Sequence, residues 1–320
     1  MLIETNEFSY VAVLVPCYNE AVTIARVISD FKRALPGATI YIYDNNSSDD
    51  TAAIAKQSGA LVRHVGLQGK GNVVRRMFAD IEADVYIMVD GDATYDAQSA
   101  HVMVRRLLDE GLDMVVGTRV SEEESAYRSG HRFGNWLLNR VIEVLFGRVF
   151  SDMLSGYRAF SRRYVKSFPA HARGFETETE LTVHALEMRV PSAEVKTKYR
   201  ARPEGSFSKL STYRDGWRIL RTILILFRTE RPLAFFGYIG FFLIGCAAML
   251  AMPLFLTYAQ TGLVPRLPTA ILVMGMLVLA SLSFVAGLVL DTMTRSRQET
   301  KRIAYLAIAG PSAMRAGRGP

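Results

Sequence analysis

The stretch Val85-Tyr86-Ile87-Met88-Val89-Asp90-Gly91-Asp92 decides the fold. Its five apolar residues predict a strand that is buried on both faces, as in the parallel sheets of α/β proteins. Open α/β sheets bind their ligands beyond the carboxyl ends of such strands. Asp90 and Asp92 would lie there, where two carboxylates close together suit Mg²⁺ or Mn²⁺. Alone, an Asp-x-Asp pair is more often a turn or a helix-capping pair, so the flanking sequence has to decide between these readings.

Apolar and β-branched runs predict four further strands, at residues 10–15, 39–43, 60–65 and 113–117. Segments with helical spacing of apolar residues lie between them, the first of which we expect Asn19 to cap and Pro36-Gly37 to end. Pro16 is expected to break the first strand. Strands that alternate with helices predict an α/β, Rossmann-like, mostly parallel sheet flanked by helices.

Polar clusters follow three of these strands, at residues 16–20, 44–50 and 90–92. In a doubly wound sheet all three fall on the same carboxyl edge. Each could be ordinary helix capping, for which Asp and Asn are favoured. Three clusters at one edge are better explained by a single ligand that lies along it.

The composition favours membrane and phosphate partners. The chain has 320 residues, a formal charge of +7 and 50% hydrophobic residues. A basic balance fits nucleic acid, an anionic membrane surface or polyanionic substrates. The basic segments nearest the hydrophobic stretches are amphipathic, which favours a membrane and phosphate groups over nucleic acid. Cys17 and Cys246 form no disulfide framework or zinc spacing, in agreement with a cytoplasmic catalytic part.

Two long apolar stretches occupy the last third of the chain. Residues 233–258 and 268–290 each exceed the ~20 apolar residues that span a bilayer and contain no charge. Basic residues flank this hairpin on both sides, so the positive-inside rule places both flanks in the cytoplasm. We therefore expect an integral protein of the cytoplasmic (inner) membrane with its catalytic domain on the cytoplasmic side.

Two basic amphipathic segments accompany the hairpin. Residues 213–228 are the stronger candidate for a helix in the membrane interface, whereas residues 133–150 could equally form a core helix. The expected organisation is a catalytic domain (1–210), a juxtamembrane amphipathic helix (211–231), a two-helix transmembrane hairpin (232–295) and a basic cytoplasmic tail (296–320).

An ordered set of motifs runs from about residue 10 to residue 210. They are Val15-Pro16-Cys17-Tyr18-Asn19-Glu20, Asp44 with its Asn/Ser/Asp tail, Gly69-Lys70-Gly71, Asp90-Gly91-Asp92, Gly117-Thr118-Arg119, Asp152 through Ser155-Gly156-Tyr157-Arg158, and Arg202 with Gly205-Ser206-Phe207-Ser208-Lys209-Leu210. This set resembles the family 2 glycosyltransferases of the GT-A fold. More narrowly, it is similar to the polyprenyl-phosphate (dolichyl-phosphate) sugar transferases, of which dolichol-phosphate mannose synthase is an example.

The resemblance implies metal-dependent transfer of one sugar, with inversion, from a UDP- or GDP-linked donor to a polyprenyl phosphate lipid. Many relatives have an acidic residue and a glycine where this chain has Asn45 and Asn46, which leaves the nucleotide base open. We expect a membrane, a nucleotide-diphosphate sugar and a lipid phosphate as partners, and no nucleic acid. A homo-oligomer is left open.

Candidate site residues follow from the motifs and their chemistry. Those expected to bind the nucleotide sugar are Pro16, Tyr18, Glu20, Asp44, Asn46, Lys70, Asp90 and Gly91. Those expected to bind phosphate or the acceptor are Arg119, Arg132, Ser155, Arg158, Arg202 and Lys209, because the arginine fork matches phosphate oxygens. Asp92, Asp152 and Arg202 are the expected catalytic residues, and Asp90 and Asp92 the metal ligands.

Some of these roles have alternatives. Lys70 could be a solvated lysine at a helix start. Asp152 is a possible general base, but a lipid phosphate is already largely ionised near neutral pH, since its second pKa is about 6. Asp152 could instead position the acceptor and orient Arg158. Glu178 could reach the metal or the acceptor, or act only in helix capping.

Two rival functions remain. A processive transferase would extend a glycan or glycolipid, but such relatives generally carry a Gln-x-x-Arg-Trp segment and more membrane helices, neither of which this sequence has. A catalytically inactive membrane scaffold would bind nucleotide sugar only, which the intact carboxylate pair and the basic residues argue against.

Overall fold

The computed structural model describes residues 10–121, 140, 143, 150–170, 177–200, 221 and 224–311. In the first of these ranges strands and helices alternate: β1 (Val11–Cys17), α1 (Ile24–Ala34), β2 (Thr39–Asp44), α2 (Thr51–Gln57), β3 (Leu61–His64), α3 (Lys70–Asp80), β4 (Val85–Met88), α4 (Ser99–Asp109) and β5 (Met114–Ser121). The later elements are β6 (Arg158–Ser161), α5 (Arg162–Ser167), α6 (Thr177–Met188), β7 (Ser192–Tyr199), α7 (Pro232–Thr261) and α8 (Leu267–Leu306).

The strands lie in one sheet in the order β3-β2-β1-β4-β6-β5-β7. β1 is parallel to β2 and β4, β2 to β3, and β5 to β7, whereas β6 is antiparallel to both of its neighbours. The predicted mostly parallel α/β sheet is therefore confirmed. β6 and β7 were not predicted, because a strand of four residues that starts with arginine and a strand rich in charged residues both lack an apolar run.

Helices cover both faces of the sheet. On one face, Val13 and Ile87 are fully buried in an apolar cluster with residues of α1 and α4. On the other face, Phe78 of α3 packs with its ring centroid 6.3 Å from that of Tyr86 and 5.8 Å from that of Phe160. Burial of each large apolar side chain contributes about 1.5–3 kcal/mol, which explains why the central strand is apolar on both faces.

Two details of the first βα unit differ from the predictions. β1 continues through Pro16, because Leu14 O accepts from Val89 N on the β4 side and β4 ends there. The amide position of Pro16, two residues further on, faces the same unpaired side, so its missing N–H breaks no ladder bond. Asn19 does not cap α1, which begins after Thr23. Asn19 instead adopts a positive φ of 55° and holds a neighbouring loop.

The chain divides into two compact units, residues 1–216 with 300–320 and residues 217–299. The second unit contains α7 and most of α8, which are long and apolar enough to cross a membrane by length and composition. Within it, the Phe241 and Phe284 rings pack edge to face, and Arg297 Nη2 donates to Glu230 Oε1 at 3.0 Å. The expected spans fall inside these two helices.

The end of α8 belongs to the first unit. Lys301 Nζ donates to Glu187 Oε2 at 2.7 Å, and Tyr305 OH donates to Asp113 Oδ2 at 2.6 Å. Residues 300–306 of the segment expected to be a basic tail thus continue α8 and pack within the first unit. The predicted amphipathic segments 133–150 and 213–228 lie largely outside the described residues.

Candidate active site

Three loops meet at the carboxyl ends of β1, β2 and β4. A Cβ added at Gly91 would lie 2.9 Å from Cys17 Sγ and 3.4 Å from Glu20 Cγ. Thr23 Oγ1 donates to Gly91 O at 2.7 Å, which ties the Asp90-Gly91-Asp92 segment to the loop after β1. Only glycine lets the backbone at residue 91 lie this close to the Cys17 and Glu20 side chains.

The loop after β2 is held to the same place by backbone donors of the loop after β1. Asn19 N donates to Ser47 Oγ at 2.9 Å, and Glu20 N donates to Thr51 Oγ1 at 2.8 Å. Ser48 N in turn donates to Asn19 Oδ1 at 2.8 Å. The polar residues that the sequence places after separate strands therefore form one interlocked edge.

Asp44, the last residue of β2, is 4% exposed. Its Oδ2 accepts from Ser47 N at 3.3 Å and faces His64 Nδ1 at 3.3 Å. Its Oδ1 is buried and has no hydrogen-bond partner among the residues that the structure describes. A buried carboxylate oxygen without a donor is costly, so this atom points to a ligand donor.

Asn45 and Asn46 hold the loop that precedes α3. Asn45 Nδ2 donates to Val65 O at 2.9 Å and to Leu67 O at 2.8 Å, while its Oδ1 accepts from Gly69 N at 2.6 Å. Asn46 Nδ2 donates to Gly66 O at 2.7 Å. The two amides thus hold the segment that leads to Gly69. Gly69 has a φ of 127° and directly precedes α3.

Lys70, the first residue of α3, lies between two carboxylates rather than in solvent. Its Nζ contacts Asp90 Oδ1 at 2.5 Å and forms an ion pair with Glu178 Oε1 of α6. Burial alone would lower the pKa of Lys70, but the adjacent Asp90 and Glu178 carboxylates outweigh it and raise that pKa. The lysine remains a cation at the strand ends, and Glu178 holds it there.

Asp92 is 4% exposed, and its Oδ1 accepts from Thr94 N at 3.2 Å and Thr94 Oγ1 at 2.6 Å. The Asp92 side chain is therefore less exposed to solvent than a residue in an open crevice would be. Among the described residues, no group of three or more His, Cys, Asp or Glu side chains could hold a metal ion. Asp90 and Asp92 alone fit Mg²⁺ or Mn²⁺ that takes its other ligands from phosphates and water, which is how Mg²⁺ is usually held.

Asp152 is paired with Arg119 at the end of β5. Arg119 Nε donates to Asp152 Oδ2 at 2.7 Å and Arg119 Nη2 to Oδ1 at 2.8 Å, a two-point geometry, and Arg119 N also donates to Oδ2 at 3.2 Å. The Arg119 guanidinium carbon lies 5.5 Å from the centroid of the Tyr199 ring. Asp152 thus orients Arg119, and the expectation that it orients Arg158 is wrong.

Arg158 and Ser155 lie in the protein interior and not on a phosphate-facing surface. Arg158 is fully buried in β6, where its nitrogens donate to Ser155 O, Met153 O and Thr182 Oγ1. Ser155 is also fully buried, and its Oγ donates to Gly117 O at 2.5 Å. With these donors committed to the chain, both residues stabilise the loop before β6, which corrects their predicted phosphate-binding role.

That loop reaches the carboxylate edge at Gly156. A Cβ there would lie 2.9 Å from Asp90 Cγ, and Gly156 N donates to Tyr95 OH at 3.0 Å. Burial raises the pKa of Tyr95 above its ordinary value, so the hydroxyl stays neutral. Tyr95 and Thr23 were missed by the sequence analysis, although Tyr95 stands three residues after Asp92.

The remaining candidates divide into two groups. Pro16 lies within β1, and Tyr18 and Glu20 are partly exposed in the loop that follows β1. Arg132, Arg202 and Lys209 lie outside the described residues, so their positions stay predictions.

Comparison with known proteins identifies relatives along most of the chain. Residues 12–168 match the profile of glycosyl transferase family 2. Glycosyltransferase AglJ of Haloferax volcanii is 38% identical over 250 residues, which are 78% of this chain and 81% of that protein. The dolichyl-phosphate hexose transferase of the same organism is 27% identical over 224 residues, 70% of this chain and 96% of that protein.

Solved structures show the same fold. Glucosyl-3-phosphoglycerate synthase from Mycobacterium tuberculosis, in complex with Mn²⁺, UDP and glucosyl-3-phosphoglycerate, gives a TM-score of 0.57 at 23% sequence identity. The match covers 70% of this chain and 80% of that one. The GT-A architecture expected from the sequence is confirmed.

Proposed function

Because the chain belongs to glycosyl transferase family 2, we propose that it transfers one sugar, with inversion, from a nucleotide-diphosphate sugar to a polyprenyl phosphate. The reaction takes place at the cytoplasmic face of the membrane that α7 and α8 cross. One observation carries the proposal: the Asp90-Gly91-Asp92 segment packs on the Glu20 loop at the carboxyl ends of the parallel strands. Open α/β sheets bind nucleotides at this edge.

The donor binds across β2, β1 and β4. Asp44 offers the base a buried acceptor, since its Oδ1 has no partner among the described residues. The diphosphate lies near Lys70 and the Asp90-Gly91-Asp92 segment, where Lys70 supplies a positive charge.

Asp90 and Asp92 are the residues that would hold Mg²⁺ or Mn²⁺. When bound, the ion supplies positive charge for the diphosphate leaving group. Lys70 contributes a second cation at the same place, and Glu178 holds it against Asp90. The loop that contains Gly156 packs directly against the Asp90 carboxylate, because Gly156 has no side chain that would separate the two.

The acceptor phosphate binds near Arg119, whose guanidinium is fixed by Asp152. Arg132, Arg202 and Lys209 are proposed to complete its binding. A polyprenyl phosphate is supported by the two apolar helices and by the similarity to a dolichyl-phosphate hexose transferase. Asp152 acts by positioning in this scheme, because a lipid phosphate ionised near neutral pH attacks without losing a proton.

The test incubates the purified full-length protein with a short-chain polyprenyl phosphate and labelled UDP- and GDP-sugars, with Mn²⁺ or with EDTA. We expect one lipid-linked sugar that EDTA abolishes and that Asp92→Asn reduces strongly. Glu110→Gln serves as the control, because Glu110 is exposed and forms a surface ion pair with Arg106, which contributes little. No lipid-linked product with any donor contradicts the proposal and favours a scaffold, whereas transfer only to a preformed glycan favours a chain-extending enzyme.

A further inference from the structure

We propose that Tyr199 is a positioning residue for the acceptor phosphate. Its ring lies against the Arg119 guanidinium and holds that guanidinium in the orientation that binds the phosphate. The inference rests on the proposed function and deepens it, because it assigns part of the acceptor site to β7, a strand that contains none of the site residues predicted from the sequence. Tyr199 acts through Arg119 and not on the substrate itself.

The pairing of β5 with β7 brings these two residues together. The strands are parallel, and Arg119 pairs with Thr197. Side chains two residues apart on a strand lie on the same face of the sheet, so Tyr199 shares the face of Thr197 and lies one step along from Arg119. The Arg119 guanidinium carbon is 5.5 Å from the centroid of the Tyr199 ring and lies over it. This distance is within the ~6 Å over which a cation is attracted to an aromatic face.

Asp152 and Tyr199 restrain different movements of the guanidinium. The Asp152 carboxylate accepts from Nε and Nη2 of Arg119, which lie along one edge of the planar group. Such a two-point contact fixes the guanidinium within its plane but lets the plane tilt about that edge. The Tyr199 ring lies against the flat face and opposes the tilt. The Arg119 side chain is 18% exposed, so water only partly weakens the attraction between the cation and the ring.

Tyr199 is itself held in place by the segment that follows Asp92. Tyr95 and Tyr199 form an antiparallel bridge, and their ring centroids are 5.3 Å apart in an edge-to-face arrangement. Arg200 N donates to Thr94 O at 2.9 Å, and Thr94 N and Oγ1 in turn donate to Asp92 Oδ1. The end of β7 therefore joins the segment that carries Asp92 to the arginine of the acceptor site.

A packing role alone would also explain a partly buried tyrosine, since Tyr199 packs against the apolar core cluster. Packing depends on the shape of the ring, whereas attraction to a cation depends on the negative potential of the ring face. The two roles therefore give different results when the shape of the ring is kept and its electron density is lowered.

The experiment measures sugar transfer by the purified full-length protein to a short-chain polyprenyl phosphate, with Mn²⁺ and a saturating amount of the UDP- or GDP-sugar that the protein consumes. Tyr199→Leu removes the aromatic face and should raise KM for the lipid phosphate roughly 5-fold while kcat stays within about 2-fold of the parent. Tyr199→Phe keeps the face and should leave this KM within about 2-fold of the parent. Tyr41→Leu is the matched control, because it also removes a partly buried strand tyrosine but lies in β2, four strands from β5 in the sheet.

Trifluorophenylalanine at position 199 separates the two roles. Fluorine withdraws electron density from the ring face and changes the shape of phenylalanine little. This variant should therefore raise KM for the lipid phosphate nearly as much as Tyr199→Leu does, whereas a packing role leaves it equal to Tyr199→Phe. Because the replacement keeps the ring, it also decides the question if Tyr199→Leu fails to fold.

A double-mutant cycle tests whether Tyr199 acts through Arg119. In an Arg119→Gln background, Tyr199→Leu should raise KM for the lipid phosphate no further, whereas a role independent of Arg119 raises it in both backgrounds. An equal rise in both backgrounds, an unchanged KM in Tyr199→Leu, or a trifluorophenylalanine variant that matches Tyr199→Phe overturns the inference and leaves the sugar transferase in place. If the parent protein transfers sugar to no polyprenyl phosphate, the proposed function fails and this inference fails with it.

Discussion

Replacing Tyr305 with phenylalanine should destabilise the transferase unit, although Tyr305 lies near the end of the second long apolar helix. Its hydroxyl donates to Asp113 Oδ2 at 2.6 Å, between residues 192 apart in the chain. Asp113 is fully buried, and its other donors are Ser161 Oγ, Arg163 Nε and Arg163 Nη2 at 2.6 to 2.8 Å. Phenylalanine removes only the hydroxyl and keeps a ring 4.6 Å from the Arg163 guanidinium carbon.

The expected loss follows from the charge of the acceptor. A hydrogen bond to a charged group contributes about 1.5–3 kcal/mol. Because Asp113 keeps three donors, we expect the free energy of unfolding to fall by about 2 kcal/mol, which lowers the Tm of a domain of this size by roughly 4–8 °C. Lys301→Met should cost more, roughly 3 kcal/mol, because the Glu187 side chain is 1% exposed and would be left as an unpaired charge.

The assay follows urea unfolding by maleimide labelling of Cys17, which is 2% exposed in β1 and becomes reactive only when the first unit opens. A Cys246→Ala background removes the thiol of the second unit. Tyr258→Phe is the matched control, since Tyr258 is 56% exposed in α7 and should leave the midpoint unchanged. Equal midpoints for Tyr305→Phe and its parent would refute the reasoning. The same contacts predict that a chain cut near Arg231 is less stable than the full-length protein.

Three further changes test the site and the core. Gly156→Ala places a Cβ 2.9 Å from Asp90 Cγ and should reduce the rate of sugar transfer by about 100-fold, measured as kcat, with an unchanged Tm. Arg119→Lys keeps the charge but loses the two-point pairing with Asp152, so kcat/KM for the lipid phosphate should fall roughly 10-fold; an unchanged value would remove Arg119 from the site. Burial, aided by nearby Lys301, lowers the pKa of His184 to about 3, so the neutral imidazole contributes full stability above pH ~6.5 and loses it as the pH falls towards 3. His184→Phe should flatten this part of the stability profile in urea titrations between about pH 7 and about pH 5, and parallel profiles would contradict the assignment.

Much of the sheet could be predicted because its signals are local. The strands β1 to β5 lie in apolar or β-branched runs, and the rule that ligands bind at the carboxyl edge places Asp44, Glu20 and Asp90 near one another. The exact ends of β1 could not be predicted, because whether Pro16 breaks a strand depends on where the neighbouring strand β4 stops.

The rest depends on contacts between distant parts of the chain. Arg158 reads as a surface or phosphate-binding residue in the sequence, since a fully buried arginine is rare. Its burial is possible because the fold places Ser155 O and Met153 O of the preceding loop and Thr182 Oγ1 of α6 around its guanidinium, and this arrangement is not visible in the sequence. In the same way, nothing near Lys70 in the sequence indicates that Glu178 of α6 is its second partner.

The order of strands also arranges the charges along the edge. Asp44 ends β2, Asp90 follows β4 and Arg119 lies near the end of β5, so four strand spacings of ~4.8 Å, roughly 19 Å, separate the first from the last. The part of the edge at β2 and β4 carries the Asp44 and Asp90 carboxylates together with Lys70. These carboxylates would repel a diphosphate unless further positive charge accompanies it. A donor with its base at Asp44 and its diphosphate near Asp90 therefore presents its sugar towards Arg119, where the acceptor phosphate would bind. The same molecule in the reverse direction would bring its base to the arginine and its diphosphate to the Asp44 carboxylate, which charge repulsion opposes.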